Sequence, residues 1–228
     1  SEPATENSLK ALARKDKVEL KRLNREFVEA HPNTAIALKL QRESMTEVFV
    51  NTRAELEKLI ERFKNNVDRQ GYASFKLFVQ SLMKYTKGKE AVDFVVFEPD
   101  GKQSKLLASL SKDKYNIVDF WASWCGPCRV AIPGIKALYE KWKEKINIVS
   151  VSLDRNDADW QKAMTDEAMP WKQLLVSPMS MRTLKDDYRI LGIPELLVVT
   201  PDGKIIYATG EPADAHDFIE KLCTEEAK

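Results

Sequence analysis

Apolar residues recur every three or four positions through the first third of the chain. Leu9, Leu12, Leu20, Leu23 and Phe27 stand at helical spacing in a charged background. His31-Pro32-Asn33 interrupts that run, and a second one carries Ile36, Leu38, Met45, Val48 and Phe49. A third follows Thr52-Arg53-Ala54-Glu55, which has capping-box spacing, and carries Leu56, Leu59, Ile60, Phe63 and Val67. Gly71 breaks the pattern again. Phe75, Phe78, Val79 and Leu82 predict a last amphipathic helix that ends near Gly88. Residues 8–88 therefore read as helical throughout.

From residue 91 the period changes. Short β-branched runs at 92–97, 114–121, 146–153, 195–200 and 204–209 alternate with helical stretches at 127–143, 157–167, 180–188 and 213–223. That alternation predicts an α/β architecture, a mixed sheet with helices on both faces. Pro-Asp-Gly-Lys occurs twice, at 99–102 and 201–204, each time between strand-like runs, and predicts two hairpins. The division expected is a helical region over 1–90 and a catalytic domain over 91–228.

Charge alters this picture little. The 36 basic and 35 acidic residues leave a net charge of +1, which gives no reason to expect nucleic acid or an anionic membrane as partner. No stretch is long and apolar enough to span a bilayer. The chain opens Ser-Glu-Pro without a Met, as a processed piece of something longer does.

The candidate chemistry lies in "WASWCGPCRVAIPG", residues 121–134. A zinc clip needs about four ligands. Beyond Cys125 and Cys128 the chain offers Cys223, His31 and His216, with no second paired motif, so no metal is expected. A purely structural disulfide would close too small a loop to constrain the unfolded chain much. A reactive dithiol fits the setting better. A strand ends near Trp121 and a helix begins at about Gly126 or Pro127, which puts Cys125 at the helix N-terminus. Free N–H groups and the positive dipole end stabilise a thiolate there. Pro127 suits the first turn because it has no N–H to lose. Cys128, one turn further in, is expected to be more buried and less ionised. Cys125 then attacks a substrate disulfide and Cys128 resolves the mixed disulfide.

The segment "VDFWASWCGPC" resembles the active-site segment of the thioredoxin fold, and the resemblance covers roughly 91–228. Within that fold the chain looks closest to the TlpA/ResA-like thiol–disulfide oxidoreductases. Pro133 falls where that family has a helix-kinking proline. "YRILGIPELLVV" matches the segment with its cis-proline, here Pro194, and an extra helix and strand occupy about 157–176. The resemblance implies a thioredoxin-like fold and reduction of protein disulfides. It implies that Asp119 is buried behind the disulfide and assists proton transfer to Cys128. It implies that Trp124, Gly126 and Pro127 border a substrate groove, and that Ile193 and Pro194 pair with an extended substrate. No cofactor beyond the Cys125–Cys128 disulfide is implied.

The partners implied are disulfide-containing proteins and a membrane thiol carrier as electron donor. The location implied is extracytoplasmic, in a bacterial periplasm, with a membrane anchor before Ser1. Residues 1–90 read equally as a docking or dimerisation module and as a helical collar. The sequence departs from the family pattern at Glu195, where the fold often has Thr, and at Ala131, where many TlpA/ResA-like proteins carry Glu. Glu195 either approaches the thiols and opposes the thiolate, or faces away. Cys223 reads as a small apolar helix residue. Two rival functions are a peroxide-reducing enzyme, to which the paired cysteines are ill suited, and a redox-inactive binding scaffold on the same fold.

Overall fold

The computed structural model describes the backbone of residues 2–45 and 47–225, and the side chains of residues 15–45 and 47–225. The chain forms two compact units, one of residues 1–46 and 53–83, the other of 47–52 and 84–228.

The first unit is helical: α1 (Glu2–Ala30), α2 (Ala35–Ser44), α3 (Arg53–Arg62) and α4 (Arg69–Leu82). The side chains of Leu9 and Leu12 lie outside the described residues. Val28, Leu38, Leu56, Phe63, Phe75, Val79 and Leu82 are buried, so the apolar spacing of this region is a core pattern. The Thr34 hydroxyl caps α2 by accepting the Ala37 N–H at 3.2 Å. The Asp68 carboxylate caps α4 by accepting the Gly71 N–H at 2.8 Å.

Three sequence expectations fail in this region. Gly71 does not break the chain; it lies in the first turn of α4, where a Cβ would come within 2.0 Å of the capping carboxylate. Val67 lies beyond the end of α3, and 74% of its surface is exposed. Val48 and Phe49 are not helical. They belong to a loop of the second unit, where Phe49 has φ +60°, donates its N–H to Tyr85 O at 2.8 Å and packs edge-on against that ring.

The second unit is built on one eight-stranded sheet. Its strands are β1 (Lys89–Glu90), β2 (Val95–Phe97), β3 (Gln103–Lys105), β4 (Tyr115–Trp121), β5 (Ile146–Ser152), β6 (Lys172–Val176), β7 (Glu195–Val199) and β8 (Lys204–Thr209), in the order β1-β8-β7-β4-β5-β6-β2-β3. The β4, β5 and β6 strands are parallel, and the remaining pairings are antiparallel. The helices are α5 (Gly126–Trp142), α6 (Asp157–Glu167), α7 (Met181–Asp187) and α8 (Pro212–Glu225). Both Pro-Asp-Gly-Lys segments are hairpin turns, with Gly101 at φ +80° and Gly203 at φ +85°, a conformation open to glycine without strain.

Alternation along the strands assigns the two faces. Ile117 and Trp121 of β4 pack with residues of α5, as do Ile146 and Ile148 of β5, while α8 contributes Ala215, Ile219 and Cys223 to the same side. Phe120 faces the other way and meets Phe94 and Tyr188. Because β4 is buried on both faces, its run is apolar almost without a gap. The buried exceptions are Asn116 and Asp119.

Candidate active site

The site begins where β4 stops. The chain leaves Trp121 through Ala122-Ser123-Trp124 and enters α5 at Gly126. This short loop is held from below by Asp154, whose carboxylate accepts the Ser123 N–H (2.9 Å), the Ser123 hydroxyl (2.6 Å) and the Ser152 hydroxyl (2.6 Å). Asp154 is 31 residues from Ser123 in the chain. Its only sequence signal is the polar residue that closes the apolar "INIVSVSLD" run, and sequence reasoning gave it no role.

Cys125 is the N-cap of α5. Its sulfur accepts the Cys128 N–H at 3.2 Å, and Pro127 occupies the first turn. The helix behind it runs 17 residues and continues through Pro133. Cys125 and Cys128 form a disulfide with a Cα–Cα distance of 5.3 Å. The expected difference in burial between the two cysteines is absent, since Cys125 is 4% exposed and Cys128 3%. What distinguishes them is position: Cys125 receives an orphan helix N–H, whereas Cys128 lies within the first turn.

Around the disulfide, Trp121, Ala122, Ile132, Trp160 and Ala163 form a buried cluster, and Ile193 packs against it. The Ile193–Pro194 peptide is cis. The structure thus brings the cysteine pair and Ile193 together although 65 residues or more separate them in sequence. Gly126 and Pro127 are exposed beside them, and Trp124 is 66% exposed. Trp124 also borders a depression of about 360 Å³ lined by Leu153, Asp154, Arg155, Asn156 and Asp159.

Asp119 shares the α5-facing side of β4 with Ile117 and Trp121 and is 3% exposed. The Ser150 hydroxyl donates to its Oδ2 at 2.8 Å, and Trp171 Nε1 donates to the same Ser150 oxygen at 2.8 Å. Burial pushes the Asp119 carboxyl up to about 6; the Ser150 hydrogen bond opposes this without cancelling it. Ser150 and Trp171 escaped the sequence reading because only strand register brings them to Asp119.

Glu195 pairs with Phe120 across β7 and β4, whereas Asp119 pairs with Leu196. Glu195 therefore stands on the sheet face opposite Asp119 and α5. Burial pushes its carboxyl up to about 7; Arg189 opposes the shift and Glu47 reinforces it. The other departure, Ala131, packs on the core. Cys223 is buried in that core, on α8. Among the described residues no three His, Cys, Asp or Glu side chains are grouped to hold a metal ion, and no helix is long and apolar enough to cross a membrane.

A thioredoxin-like family model matches residues 113–205, which include the cysteine pair and the cis-proline. HelX of Rhodobacter capsulatus, a thiol:disulfide interchange protein, is 32% identical over 136 residues, covering 59% of this chain and 74% of HelX. The chain belongs to the thioredoxin-like thiol–disulfide oxidoreductases.

Among other members of that family, the thiol–disulfide oxidoreductase ResA of Bacillus thuringiensis is 26% identical over 60% of this chain and 76% of its own length. Probable nucleoredoxin 3 of Oryza sativa is 33% identical over 95 residues, which span 40% of this chain and a fifth of that protein. In structure, the thioredoxin domain of a Bacteroides vulgatus thiol–disulfide oxidoreductase superposes with a TM-score of 0.54 at 30% identity, covering 60% of this chain and 96% of that domain. The family-model match lies within the second unit, and its paired cysteines are consistent with a redox dithiol.

Proposed function

We propose that this oxidoreductase reduces disulfides in protein substrates, with Cys125 as nucleophile, Cys128 as resolving thiol and Asp119 as the group that moves the proton. The observation that supports this most is the placing of Cys125 as N-cap of a long helix, bonded to the Cys128 N–H, beside Ile193 and the cis-proline. In the reduced pair the same N–H and the helix dipole favour a thiolate at Cys125.

The Cys125 thiolate attacks one sulfur of a substrate disulfide. That S–S bond breaks, and the leaving sulfur departs as a thiolate and takes a proton from water. A mixed disulfide remains. Cys128 then gives its proton to the Asp119 carboxylate, and its sulfur attacks Cys125. The second substrate sulfur leaves, and two electrons have passed to the substrate. A carboxyl group that titrates at about 6 is mostly ionised at neutral pH yet basic enough to accept a proton, the range in which general base catalysis is most effective. Trp124, Gly126, Pro127, Ile193 and Pro194 border the groove for an extended substrate segment, whose backbone pairs with Ile193.

The reductive direction rests on Gly126-Pro127, the dipeptide of reducing thioredoxins. The resemblance to TlpA/ResA-like proteins supports an extracytoplasmic location, a membrane thiol carrier as electron donor and an anchor before Ser1. Residues 91–228 are read as the catalytic domain and 1–90 as a helical region through which two copies associate. Exposed Leu20 and Leu23, one turn apart on α1, support that association. Sedimentation of the full chain and of a Leu20→Glu/Leu23→Glu variant checks it: a dimer is expected for the first and a monomer for the second.

Trapping tests the assignment of roles. Cys128→Ser is expected to accumulate a mixed disulfide with a protein such as insulin, and Cys125→Ser none. A trapped adduct in Cys125→Ser instead would reverse the roles.

A further inference from the structure

The buried face beneath the disulfide holds more polar atoms than the proposed chemistry uses. Asp119 pairs in register with Ser150, and Ser150 with Gln173, on the adjacent strands β4, β5 and β6. In-register residues of neighbouring strands share a face with their Cβ atoms about 5 Å apart, so the three side chains form a row across the sheet. The Ser150 hydroxyl has one proton and two lone pairs. The proton goes to Asp119, and one lone pair accepts from Trp171 Nε1. The second lone pair remains.

On the far side of Ser150 stands Gln173, only 8% exposed. Its Nε2 and Oε1 are both buried without a protein partner. The indole N–H groups of Trp121 and Trp160, in the cluster around the disulfide, are also buried without one. An orphaned buried polar group is costly, and native interiors satisfy such groups with a protein partner or ordered water. The amide donor and acceptor of Gln173 and the spare Ser150 lone pair supply the two to four partners that a buried water requires.

We propose that Gln173 seats a buried water against Ser150, and that Asp119, Ser150 and this water are the route by which the Asp119 proton leaves and returns. The proposal rests on the proton-moving role given to Asp119 above. In the outward step, protonated Asp119 gives its proton to Ser150 Oγ while the Ser150 proton passes to the water, which hands one on to solvent. No bond between heavy atoms changes, and the net result is one proton moved from Asp119 to water. The inward step is the reverse.

Around the disulfide, α5 and α6 present no buried acid or base apart from the paired cysteines. They present Cys128 and Ile132 from α5, and Trp160 and Ala163 from α6. Their charged residues near this end engage one another: Arg129 pairs with Glu167 at 2.6 Å, and Lys136 donates to the Glu167 carbonyl. Nothing charged contributes to the displacement of Asp119.

The test compares the full chain with Asp119→Asn, Ser150→Ala and Gln173→Met, the last keeping the volume but not the hydrogen bonds. The pH profile of insulin-disulfide reduction is read in each, and the ¹³C NMR titration of the Asp119 carboxyl in the reduced form of each protein that keeps it. Ser150→Ala is expected to move both inflections upward together by at least about half a pH unit, since it removes the hydroxyl that donates to the carboxylate, and Gln173→Met to move both the same way by less, since it removes the water behind that hydroxyl. A uniform loss of rate with unmoved inflections, or no change, overturns the proton route if Asp119→Asn abolishes the inflection. If Asp119→Asn leaves the profile untouched, the role of Asp119 itself falls. A high-resolution crystal structure of the parent needs no variant. It is expected to show an ordered water in reach of both Gln173 and Ser150, and dry contact there overturns the proposal.

Discussion

Asp119 is an acid whose burial raises its folded titration point from 3.8 to about 6. A carboxyl raised in this way contributes most to stability when protonated, below its unfolded value, and that contribution is lost as pH rises through 6. The displacement corresponds to about 3 kcal/mol. Asp119→Asn is therefore expected to stabilise the fold by up to about 3 kcal/mol at pH 8 and by nothing near pH 4, as read from urea midpoints. The same variant is expected to slow resolution of the mixed disulfide about 10²-fold at pH 7, at the lower end of what a general base contributes. A destabilised, fully active variant would contradict both. Asp154 plays a different part, because its three accepted hydrogen bonds hold the loop before Cys125. Asp154→Ala orphans those donors and is expected to cost about 2–4 kcal/mol, on the scale of two buried groups left unpaired, measured by the same denaturation. Of these residues, the sequence exposes Asp119 through its motif. Ser150, Trp171, Gln173 and Asp154 stayed illegible because each acquires its role from register or from a partner 21 residues or more away.

At the level of elements, the legible features were those with local causes. The hairpins over 95–105 and 195–209 follow from Pro-Asp-Gly-Lys, and α6 starts at Asp157 because Asn156 caps it. The misreadings came where a tertiary partner overrode local pattern. Phe49 has helical spacing with Met45 but is drawn into the edge-on contact with Tyr85. Gly71 looks like a helix breaker, yet its missing Cβ is what lets Asp68 cap α4. This reverses an ordinary rule: Ala is favoured over Gly in a helix by up to about 1 kcal/mol. Here Gly71→Ala is expected to give no stabilisation or a loss, because it displaces a cap worth about 1 kcal/mol. In an Asp68→Ala background the same change is expected to stabilise. A double-mutant cycle by thermal unfolding checks this, and an equal gain in both backgrounds would show that Asp68 does not impose the glycine.

For the whole molecule, Asp119 and Glu195 act together on pH dependence. Burial raises both, to about 6 and about 7, on opposite faces of one sheet. Each stabilises most when protonated, so stability is expected to fall as pH rises from 4 to 8. An Asp119→Asn/Glu195→Gln variant is expected to show a flatter profile. An unchanged slope in chemical denaturation across that range would contradict the burial of both groups. The sheet also separates their functions. Asp119 faces the helix that carries the thiols and Glu195 faces away. The central claim is that Cys125 and Cys128 cycle as a reducing dithiol, and the most direct measurement is their equilibrium redox titration against dithiothreitol or glutathione, read by thiol alkylation. The expected result is a reversible two-electron midpoint at the reducing end of the fold's range, near about −270 mV. A midpoint near about −120 mV would make the protein an oxidant, and the absence of any reversible couple would leave the fold as a scaffold.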